Sequence, residues 1–205
     1  MPTGQNLSEQ FADLLRANAI PINAHLDITY RCDLDCEHCY LDKKNDWPEL
    51  PTSAWKQVIS ELSQWGTIRL VWSGGEVFAR PDFLELLEFA GQLGFYSVVK
   101  THAGNVDTAL AKQLADLGVG KVDVSVYSLT PSVHDAVTRS SGSLERTLRG
   151  VAALRSVGIA VRVSVSVFSS NLHELEQMDV FFASMGCVTK MSATLKPDNA
   201  GDTKI

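Results

Sequence analysis

The sequence lacks the features that would point to a membrane or a nucleic acid. No apolar run reaches the roughly 18 residues that suggest a membrane-spanning helix. Lys and Arg number 18 against 24 Asp and Glu, which leaves a net charge of −6. A nucleic-acid surface needs clustered cations, so we expect no nucleic-acid partner. The N-terminus has neither a basic start nor an apolar core, unlike a secretory signal, so we expect a cytoplasmic protein with no membrane partner.

Cysteine is also scarce, with four residues in the chain, yet three of them lie within the eight residues from Cys32 to Cys39. In a reducing compartment such a cluster indicates a metal site or catalysis rather than disulfides. Cys187 is remote, and we expect it to be a buried small apolar residue. Structural zinc and saturated iron–sulfur clusters take four protein ligands. Cys32, Cys36 and Cys39 therefore predict a metal centre with one open coordination position.

Strand-like and helix-like segments alternate along the 205 residues, a length that suggests one domain with at most a small appendage. Predicted strands cover residues 23–30, 68–72, 96–101, 121–127, 159–168 and 188–194. Predicted helices cover residues 7–17, 53–65, 82–93, 108–117, 143–157 and 171–185. This repetition implies right-handed crossovers and a parallel sheet. A doubly wound sheet and a barrel, complete or partial, are both compatible with it.

The predicted strands alternate between apolar and polar residues, which is unusual for a parallel sheet covered on both faces. In the fifth strand, Val161, Val163 and Val165 share one face, while Arg162 and Ser164 share the other. The apolar face should meet the helices. The polar face should line a wet or ligand-filled cavity, because unpaired buried polar groups are costly. A curved sheet with a polar concave face fits this pattern, and a barrel packed with Val, Ile and Leu does not.

Three chemistry-bearing loops follow the first three predicted strands. The cysteines follow the first strand, Ser-Gly-Gly-Glu at 73–76 follows the second, and Thr-His-Ala-Gly at 101–104 follows the third. Ligands gather at the carboxyl ends of parallel strands, so these loops should face one cavity. Gly74 and Gly75 permit close approach of the backbone to a ligand, and Glu76 could accept from a cation. Taken alone, the tetrapeptide is more typical of a tight strand-to-helix turn with Glu76 near the start of the helix.

The pattern Cys32-x3-Cys36-x2-Cys39 with Tyr40, followed by Gly-Gly-Glu, resembles the radical S-adenosylmethionine (radical SAM) superfamily. The resemblance runs from about residue 22 to residue 194. Residues 124–127, 134–139 and 142–144 resemble the subgroup that carries a C-terminal SPASM extension and includes peptide-modifying maturases.

The resemblance implies an α/β fold, a partial (β/α)6 TIM-like barrel of parallel strands with an extra N-terminal helix. The expected divisions are a helical extension at 1–20, the radical SAM barrel at 21–196 and a turn-rich tail at 197–205. No further cysteine cluster follows the sixth predicted strand. The chain is therefore expected to be either a minimal enzyme with one cluster or a fragment.

The resemblance also implies cofactors and a reaction. The three cysteines would bind three irons of a [4Fe–4S] cluster, and the amino and carboxylate groups of S-adenosylmethionine would chelate the fourth. The reduced cluster would cleave the sulfonium to methionine and a 5′-deoxyadenosyl radical, which takes a hydrogen atom from the substrate. The cofactors supply the chemistry, and the protein supplies orientation and exclusion of water.

Several further roles carry over by position. Gly74 and Gly75 match the segment whose backbone meets the methionine amino group, and Glu76 completes that motif. Ser125 matches a position that contacts the ribose or a carboxylate. Arg139 resembles an arginine that pairs with the carboxylate of S-adenosylmethionine, a task suited to a guanidinium fork.

Three more residues are expected to contact the same cosubstrate. Ser164 and Ser166 lie on the polar face of the fifth strand and are expected to touch S-adenosylmethionine. His38 occupies a position that is usually aromatic in the family, and we expect it to pack beside the adenine rather than bind iron. His102 stands where relatives often have asparagine, and it is expected to replace that side-chain contact.

The substrate implied by the subgroup is a peptide or a peptide-derived cofactor precursor. Tailoring of a small metabolite or tetrapyrrole, and a non-catalytic iron–sulfur or electron-transfer protein, are the alternatives. A zinc site made of the three cysteines and His38 is disfavoured, because His38 adjoins Cys39 and both would have to point at one metal. The expected partners are an electron donor such as flavodoxin or ferredoxin and, for an open barrel, a protein that closes its mouth.

Overall fold

The computed structural model describes residues 6–41 and 48–194. Its six strands form one all-parallel sheet in which the spatial order follows the chain order. They are β1 Asn23–Asp27, β2 Arg69–Ser73, β3 Tyr96–Thr101, β4 Lys121–Ser125, β5 Ala160–Ser166 and β6 Val188–Ser192. β1 and β6 are the two edges of the sheet, so the barrel is open, and the prediction of a partial α/β barrel is confirmed.

Seven α-helices connect and cover these strands in the described part of the chain. They are α1 Leu7–Ala17, α2 Thr52–Gln64, α3 Phe83–Gln92, α4 Thr108–Asp116, α5 Pro131–Thr138, α6 Ser143–Ser156 and α7 Leu175–Ser184. All but α5 were predicted from the sequence. A separate 3-10 turn at Leu172–Glu174 takes up the start of the last predicted helix. α5 has only eight residues and lies in a stretch that the sequence analysis singled out by resemblance alone.

The hydrophobic core lies between the helices and one face of the sheet. In β5, Val161, Val163 and Val165 are buried, whereas Arg162 and Ser164 on the opposite face are only half-buried. This alternation follows from the period of two along a strand. The sheet therefore turns its apolar face to the helices and keeps a polar concave face, as the residue pattern indicates.

α1 precedes the sheet and contributes no buried side chain. It begins with a capping box in which Asn6 accepts from the Glu9 amide and Glu9 accepts from the Asn6 amide. The predicted division after residue 20 stays a prediction, and the predicted tail at 197–205 lies outside the described residues. Among the described helices, none is long and apolar enough to span a membrane.

α5 and α6 are joined by the carboxylate of Asp135. Its Oδ2 accepts from the Gly142 amide at 2.6 Å, and its Oδ1 accepts from the Leu144 amide at 3.0 Å and the Ser143 hydroxyl at 2.8 Å. The buried His134 places Nδ1 3.0 Å from the same hydroxyl. The first amides of a helix have no intrahelical acceptor, so Asp135 satisfies part of the α6 N-terminus. The stretch that resembles the family thus holds two helices together.

We predict that Asp135→Asn lowers the free energy of unfolding at neutral pH by about 1–2 kcal/mol, since charge-assisted bonds to α6 are lost. Burial opposes ionisation of Asp135, but the bonds from Leu144, Ser143 and Gly142 outweigh it and lower its pKa. The native pKa is thus below the unfolded value of about 3.9. The carboxylate's contribution should be complete above that value and disappear as the pH falls through the native pKa.

Urea unfolding of the wild type and the variant at several pH values would measure this difference. Asp116→Asn, which removes an exposed carboxylate from α4, is the matched control and should change stability by less than about 0.5 kcal/mol. Equal losses in the two variants at neutral pH would show that Asp135 does not brace α6.

Candidate functional site

The loop that follows β1 carries all three clustered cysteines as half-buried thiols. Within it, the Cys39 amide donates to the Cys36 carbonyl at 3.1 Å. The Leu34 amide lies 3.4 Å from Cys32 Sγ and donates to it. Amide donors to a cysteine sulfur stabilise its thiolate and tune a cluster that it ligates. The Leu34 amide therefore helps to hold the Cys32 sulfur in its position in the loop.

The C-terminus of α5 holds this cysteine loop in place. The carbonyls of Val137 and Thr138 accept from the amides of Glu37 at 3.0 Å and Asp35 at 3.3 Å. The last carbonyls of a helix lack intrahelical donors. The loop amides therefore satisfy the hydrogen-bonding capacity of these α5 carbonyls, and the same bonds fix the position of the cysteine loop against α5. Sequence reasoning missed this helix. The signal that could have found it is Pro131, because proline favours the first position of a helix.

The Ser-Gly-Gly-Glu turn after β2 packs directly on the start of the cysteine loop. The Gly75 amide donates to the Thr29 carbonyl, and the Glu76 amide donates to the Arg31 carbonyl, each at 2.8 Å. A Cβ at Gly74 would lie 2.3 Å from the Thr29 oxygen, and one at Gly75 would lie 2.2 Å from the Arg31 oxygen. Gly74 also has φ +132°. Glycine is required here because two backbones touch.

Glu76 is buried beneath the same turn and is fully engaged with the end of β3. Its carboxylate accepts from the Thr101 hydroxyl at 2.8 Å and from the His102 amide at 3.0 Å. The side chain is 1% exposed. In the structure, Glu76 joins the ends of β2 and β3. A contact between Glu76 and a cofactor stays a prediction.

His102 connects the cysteine loop to this carboxylate. Its Nε2 lies 2.8 Å from Asp33 Oδ1 and 3.1 Å from Glu76 Oε2, while its Nδ1 accepts from the Gly104 amide at 3.0 Å. Burial opposes protonation of His102, but the hydrogen bonds with Asp33 and Cys32 and the charge of Glu76 raise its pKa. Because Nδ1 accepts from the Gly104 amide and Nε2 faces two carboxylates, the proton lies on Nε2, between Asp33 and Glu76. Asp33 carries no recognisable signal in the sequence, because only folding brings its loop to the end of β3.

These loops enclose a cavity of about 310 Å³ at the carboxyl edge of the sheet, which we call the rim cavity. Its lining residues are Cys32, Leu34, Cys36, His38, Cys39, Tyr40, Ser73, Gly74, Gly75, Lys100, Thr101, His102, Ser125, Tyr127, Ser166 and Thr194. The volume falls at the lower end of the range for ligand pockets, roughly 300–1,000 Å³.

Nine of the twelve site residues predicted from the sequence therefore line one cavity, namely Cys32, Cys36, Cys39, His38, Gly74, Gly75, His102, Ser125 and Ser166. Glu76, Arg139 and Ser164 are not among the lining residues. Arg139 has a left-handed backbone conformation at the end of α5, and its largely exposed side chain pairs with Asp35 at 3.2 Å. Ser164 is half-buried on the concave face, whereas Ser166, the other serine expected on that face, lines the cavity.

An aromatic wall closes one side of the rim cavity. The His38 ring lies edge-on to Tyr127 and Phe168, with ring centroids 4.7 Å and 5.3 Å apart. Burial lowers the pKa of His38, which favours the neutral ring. Its Nδ1 is buried and finds no hydrogen-bond partner among the described residues. An unpaired buried nitrogen is costly, and a polar ligand in the cavity could satisfy it.

The cysteine geometry suits a cluster better than a single ion. Three thiolates on one zinc, each about 2.3 Å from the metal, lie within about 4 Å of one another. The sulfurs of Cys32, Cys36 and Cys39 do not all lie within 4.8 Å of one another. The tighter group is instead Cys32, Asp33 and His102. An iron–sulfur cluster binds each thiolate through a different iron, so it fits the wider spacing.

Comparison with known proteins gives a family and several relatives. The family described as Radical SAM superfamily matches residues 26–181. The PqqA peptide cyclase of Bradyrhizobium diazoefficiens is 31% identical over 158 residues, which cover 76% of this chain and 42% of that protein. The AdoMet-dependent heme synthase of Methanosarcina barkeri is 29% identical over 178 residues, which cover 86% of this chain and 51% of that protein.

The solved structures add a likeness of fold. SuiB of Streptococcus suis, bound to its precursor peptide SuiA, aligns with a TM-score of 0.76 at 16% identity, covering 90% of this chain and 42% of that one. The same protein bound to S-adenosylmethionine aligns with a TM-score of 0.76 and covers 93% and 47%. This chain thus spans about half the length of the curated relatives that it matches.

We predict that Gly75→Ala lowers the free energy of unfolding of the apoprotein by about 1–3 kcal/mol, because the new methyl collides with the Arg31 carbonyl. Iron uptake on anaerobic reconstitution should fall with it, since the cysteine loop must shift. Urea unfolding and iron analysis would measure both effects.

Gly91→Ala is the matched control. Gly91 lies in α3, and its Cβ would meet nothing closer than 3.6 Å. Alanine is the better helix former, so this variant should match or slightly exceed the wild type in stability. Wild-type stability and iron content in Gly75→Ala would refute the close contact between the glycine turn and the cysteine loop.

Proposed function

The chain belongs to the radical SAM superfamily, and from that premise we propose that it is the catalytic core of an enzyme that cleaves S-adenosylmethionine and modifies a peptide. Members of this superfamily use a [4Fe–4S] cluster and S-adenosylmethionine. The observation that carries the proposal is the convergence of Cys32, Cys36 and Cys39 with the Gly74–Gly75 backbone in one cavity.

In this proposal each cysteine thiolate holds one iron, and the fourth position is left to the cosubstrate. When bound, the cluster and S-adenosylmethionine supply an electron and, through cleavage of the sulfonium, a strong acceptor of hydrogen atoms. The amides of Gly75 and Glu76 are engaged by the cysteine loop. The ammonium of the cosubstrate is a donor, so the glycine turn would bind it through carbonyl oxygens.

The aromatic wall would position the nucleoside. His38 and Tyr127 offer ring faces and edges for stacking, and Ser125 offers a hydroxyl for a ribose. Burial and the charge of the Cys36 thiolate raise the pKa of Tyr127, so its hydroxyl stays protonated and can donate. Contacts of Glu76, Arg139 and Ser164 with S-adenosylmethionine remain predictions, and an Arg139 that binds a carboxylate would have to release Asp35.

A peptide is the substrate that the comparisons favour. One relative is named as a peptide cyclase, and SuiB was crystallised with a precursor peptide. The half-buried serines and charged residues of the concave face offer hydrogen-bond partners to a peptide backbone. A tetrapyrrole is the second candidate, and the relative named as a heme synthase favours it.

The remaining partners are proposed from the chemistry that the site requires. The cluster must receive an electron, for which flavodoxin or ferredoxin is a suitable donor. A hydrogen-atom acceptor must also be kept from solvent. Because the sheet is open between β1 and β6, we propose that a substrate or a partner protein covers its mouth.

We predict that Cys36→Ala loses both iron and cleavage of S-adenosylmethionine. The wild type, reconstituted without oxygen and reduced with dithionite, should hold a [4Fe–4S] cluster and form 5′-deoxyadenosine. Cys187→Ala is the control, because Cys187 lies in the core away from the rim cavity and should leave both properties intact. Full cleavage by Cys36→Ala, or a wild type that takes up zinc but no iron–sulfur cluster, would contradict the proposal.

The substrate class can be read from the hydrogen atom that is transferred. We expect deuterium from a labelled peptide, encoded near the gene, to appear in 5′-deoxyadenosine. Transfer only from a labelled tetrapyrrole would replace the peptide with the second candidate. A cluster that binds S-adenosylmethionine without cleaving it would indicate a non-catalytic protein.

A further inference from the structure

A row of charged side chains crosses the concave face below the rim cavity. The register of the sheet pairs Lys100 with Asp123 and Asp123 with Arg162, so one carboxylate lies between two cations. The Asp123 side chain is 3% exposed and pairs with Arg162 Nη2. Lys121 Nζ lies 3.4 Å from its other oxygen. A buried carboxylate thus already compensates part of the cationic charge on this face.

This row borders a second cavity, of about 200 Å³, which we call the floor cavity. Four cations line it, namely Arg69, Lys100, Lys121 and Arg162, together with Asp123 and His25. Lys100 lines both this cavity and the rim cavity. The two cavities are therefore neighbours along the concave face.

The floor cavity carries more positive charge than its own carboxylates balance. The four cations share the cavity with Asp123, and the nearest further carboxylate is that of Asp27, which lies two residues beyond His25 on β1 and interacts with Lys100. The hydrogen bond with His25 lowers the pKa of Asp27, and Lys100 adds to that effect, so Asp27 is ionised at neutral pH. Two positive charges remain in excess.

Unused donors accompany the excess charge. The Nε of Arg162 is buried and finds no acceptor among the described residues. No ion pair involving Arg69 is present in the described part of the chain, and its side chain is exposed at the base of β2. A buried donor without an acceptor costs free energy, so an anion that enters the cavity would be stabilised by both charge and hydrogen bonds.

We propose that the floor cavity binds a carboxylate group of the peptide substrate, an inference that rests on the proposed function. The size suits one acidic side chain or a peptide C-terminus, and carboxylates are the anions that an unmodified peptide carries. Ser125 lies two residues beyond Asp123 on β4, a rise of roughly 7 Å. A carboxylate held at the level of Asp123 thus places neighbouring carbon atoms near the rim cavity.

The binding test uses the cluster-loaded protein with S-adenosylmethionine and short capped peptides, with dissociation constants from ligand-observed NMR. The probes are acetyl-Gly-Glu-Gly-amide and its neutral match acetyl-Gly-Gln-Gly-amide. We expect the Glu peptide to bind roughly tenfold more tightly, because charge-assisted hydrogen bonds are gained only by the acid. Equal affinity, or no measurable binding of either peptide, would overturn the proposal.

Variants that should change the preference for the Glu peptide in opposite directions test whether the floor cavity causes this preference. Arg69→Gln and Lys121→Gln should each reduce the preference for Glu to about twofold or less, while Asp123→Asn should increase it by removing the internal competitor. The matched controls are Arg149→Gln and Lys112→Gln, which remove cations from exposed helical pairs and should keep the full preference. A preference that survives in both Arg69→Gln and Lys121→Gln would place the carboxylate elsewhere.

A second pair of probes separates the two sources of the carboxylate. Acetyl-Gly-Ala-Gly with a free C-terminus is compared with its C-terminal amide in the same variants. A cation-dependent preference for the free terminus assigns the cavity to a C-terminal carboxylate, and one seen only with Glu assigns it to an acidic side chain. If the protein prefers neither the Glu peptide nor the free C-terminus, the proposal is overturned.

The binding readout does not depend on turnover, so the two proposals can fail separately. Normal formation of 5′-deoxyadenosine without a carboxylate preference would reject the floor cavity as a binding site and keep the enzyme. A cation-dependent preference in a protein that does not cleave S-adenosylmethionine would reject the catalytic proposal and keep the binding site.

Discussion

The direct contact of two backbones, between Gly74–Gly75 and the residues that follow β1, is the constraint on which the site depends. The Gly75 and Glu76 amides donate to carbonyls of the cysteine loop, and no Cβ fits between them. This contact fixes the cysteine loop relative to β2. The hydrogen bonds of Glu76 with Thr101 and His102 then fix the end of β2 relative to the end of β3. The same two glycines that shape the cavity wall therefore also determine where the thiolates lie.

A second support reaches the cysteines from the other side of the loop. The carboxyl end of α5 accepts two amides of the loop, and Asp135 ties α5 to the start of α6. Each contact satisfies groups that a helix end leaves unpaired, so packing and hydrogen bonding reinforce each other. The three clustered cysteines are thus held by rigid elements, although they lie on a loop.

The polar concave face is the second distinctive feature of the molecule. A parallel sheet usually buries both faces, yet here the inner face carries serines and a charged row that crosses β3, β4 and β5. The rim cavity lies above this row and the floor cavity lies beside it, and Lys100 belongs to both. An open barrel of this kind can receive a ligand that spans the two cavities, which a barrel filled with apolar side chains cannot.

The sequence by itself determined the strand–helix order, the polar inner face and the cysteine triad, because these depend on local periodicity and on spacing along the chain. It also determined that Gly74 and Gly75 line the cavity, since the ends of parallel strands meet at one edge. Only the tertiary structure decided that Glu76 is buried against Thr101 and His102, that Arg139 pairs with Asp35, and that Asp33 approaches His102. These outcomes depend on contacts between residues that are distant in sequence. The local sequence allows several orientations for each of these side chains, and packing and the need to pair buried polar groups select one of them.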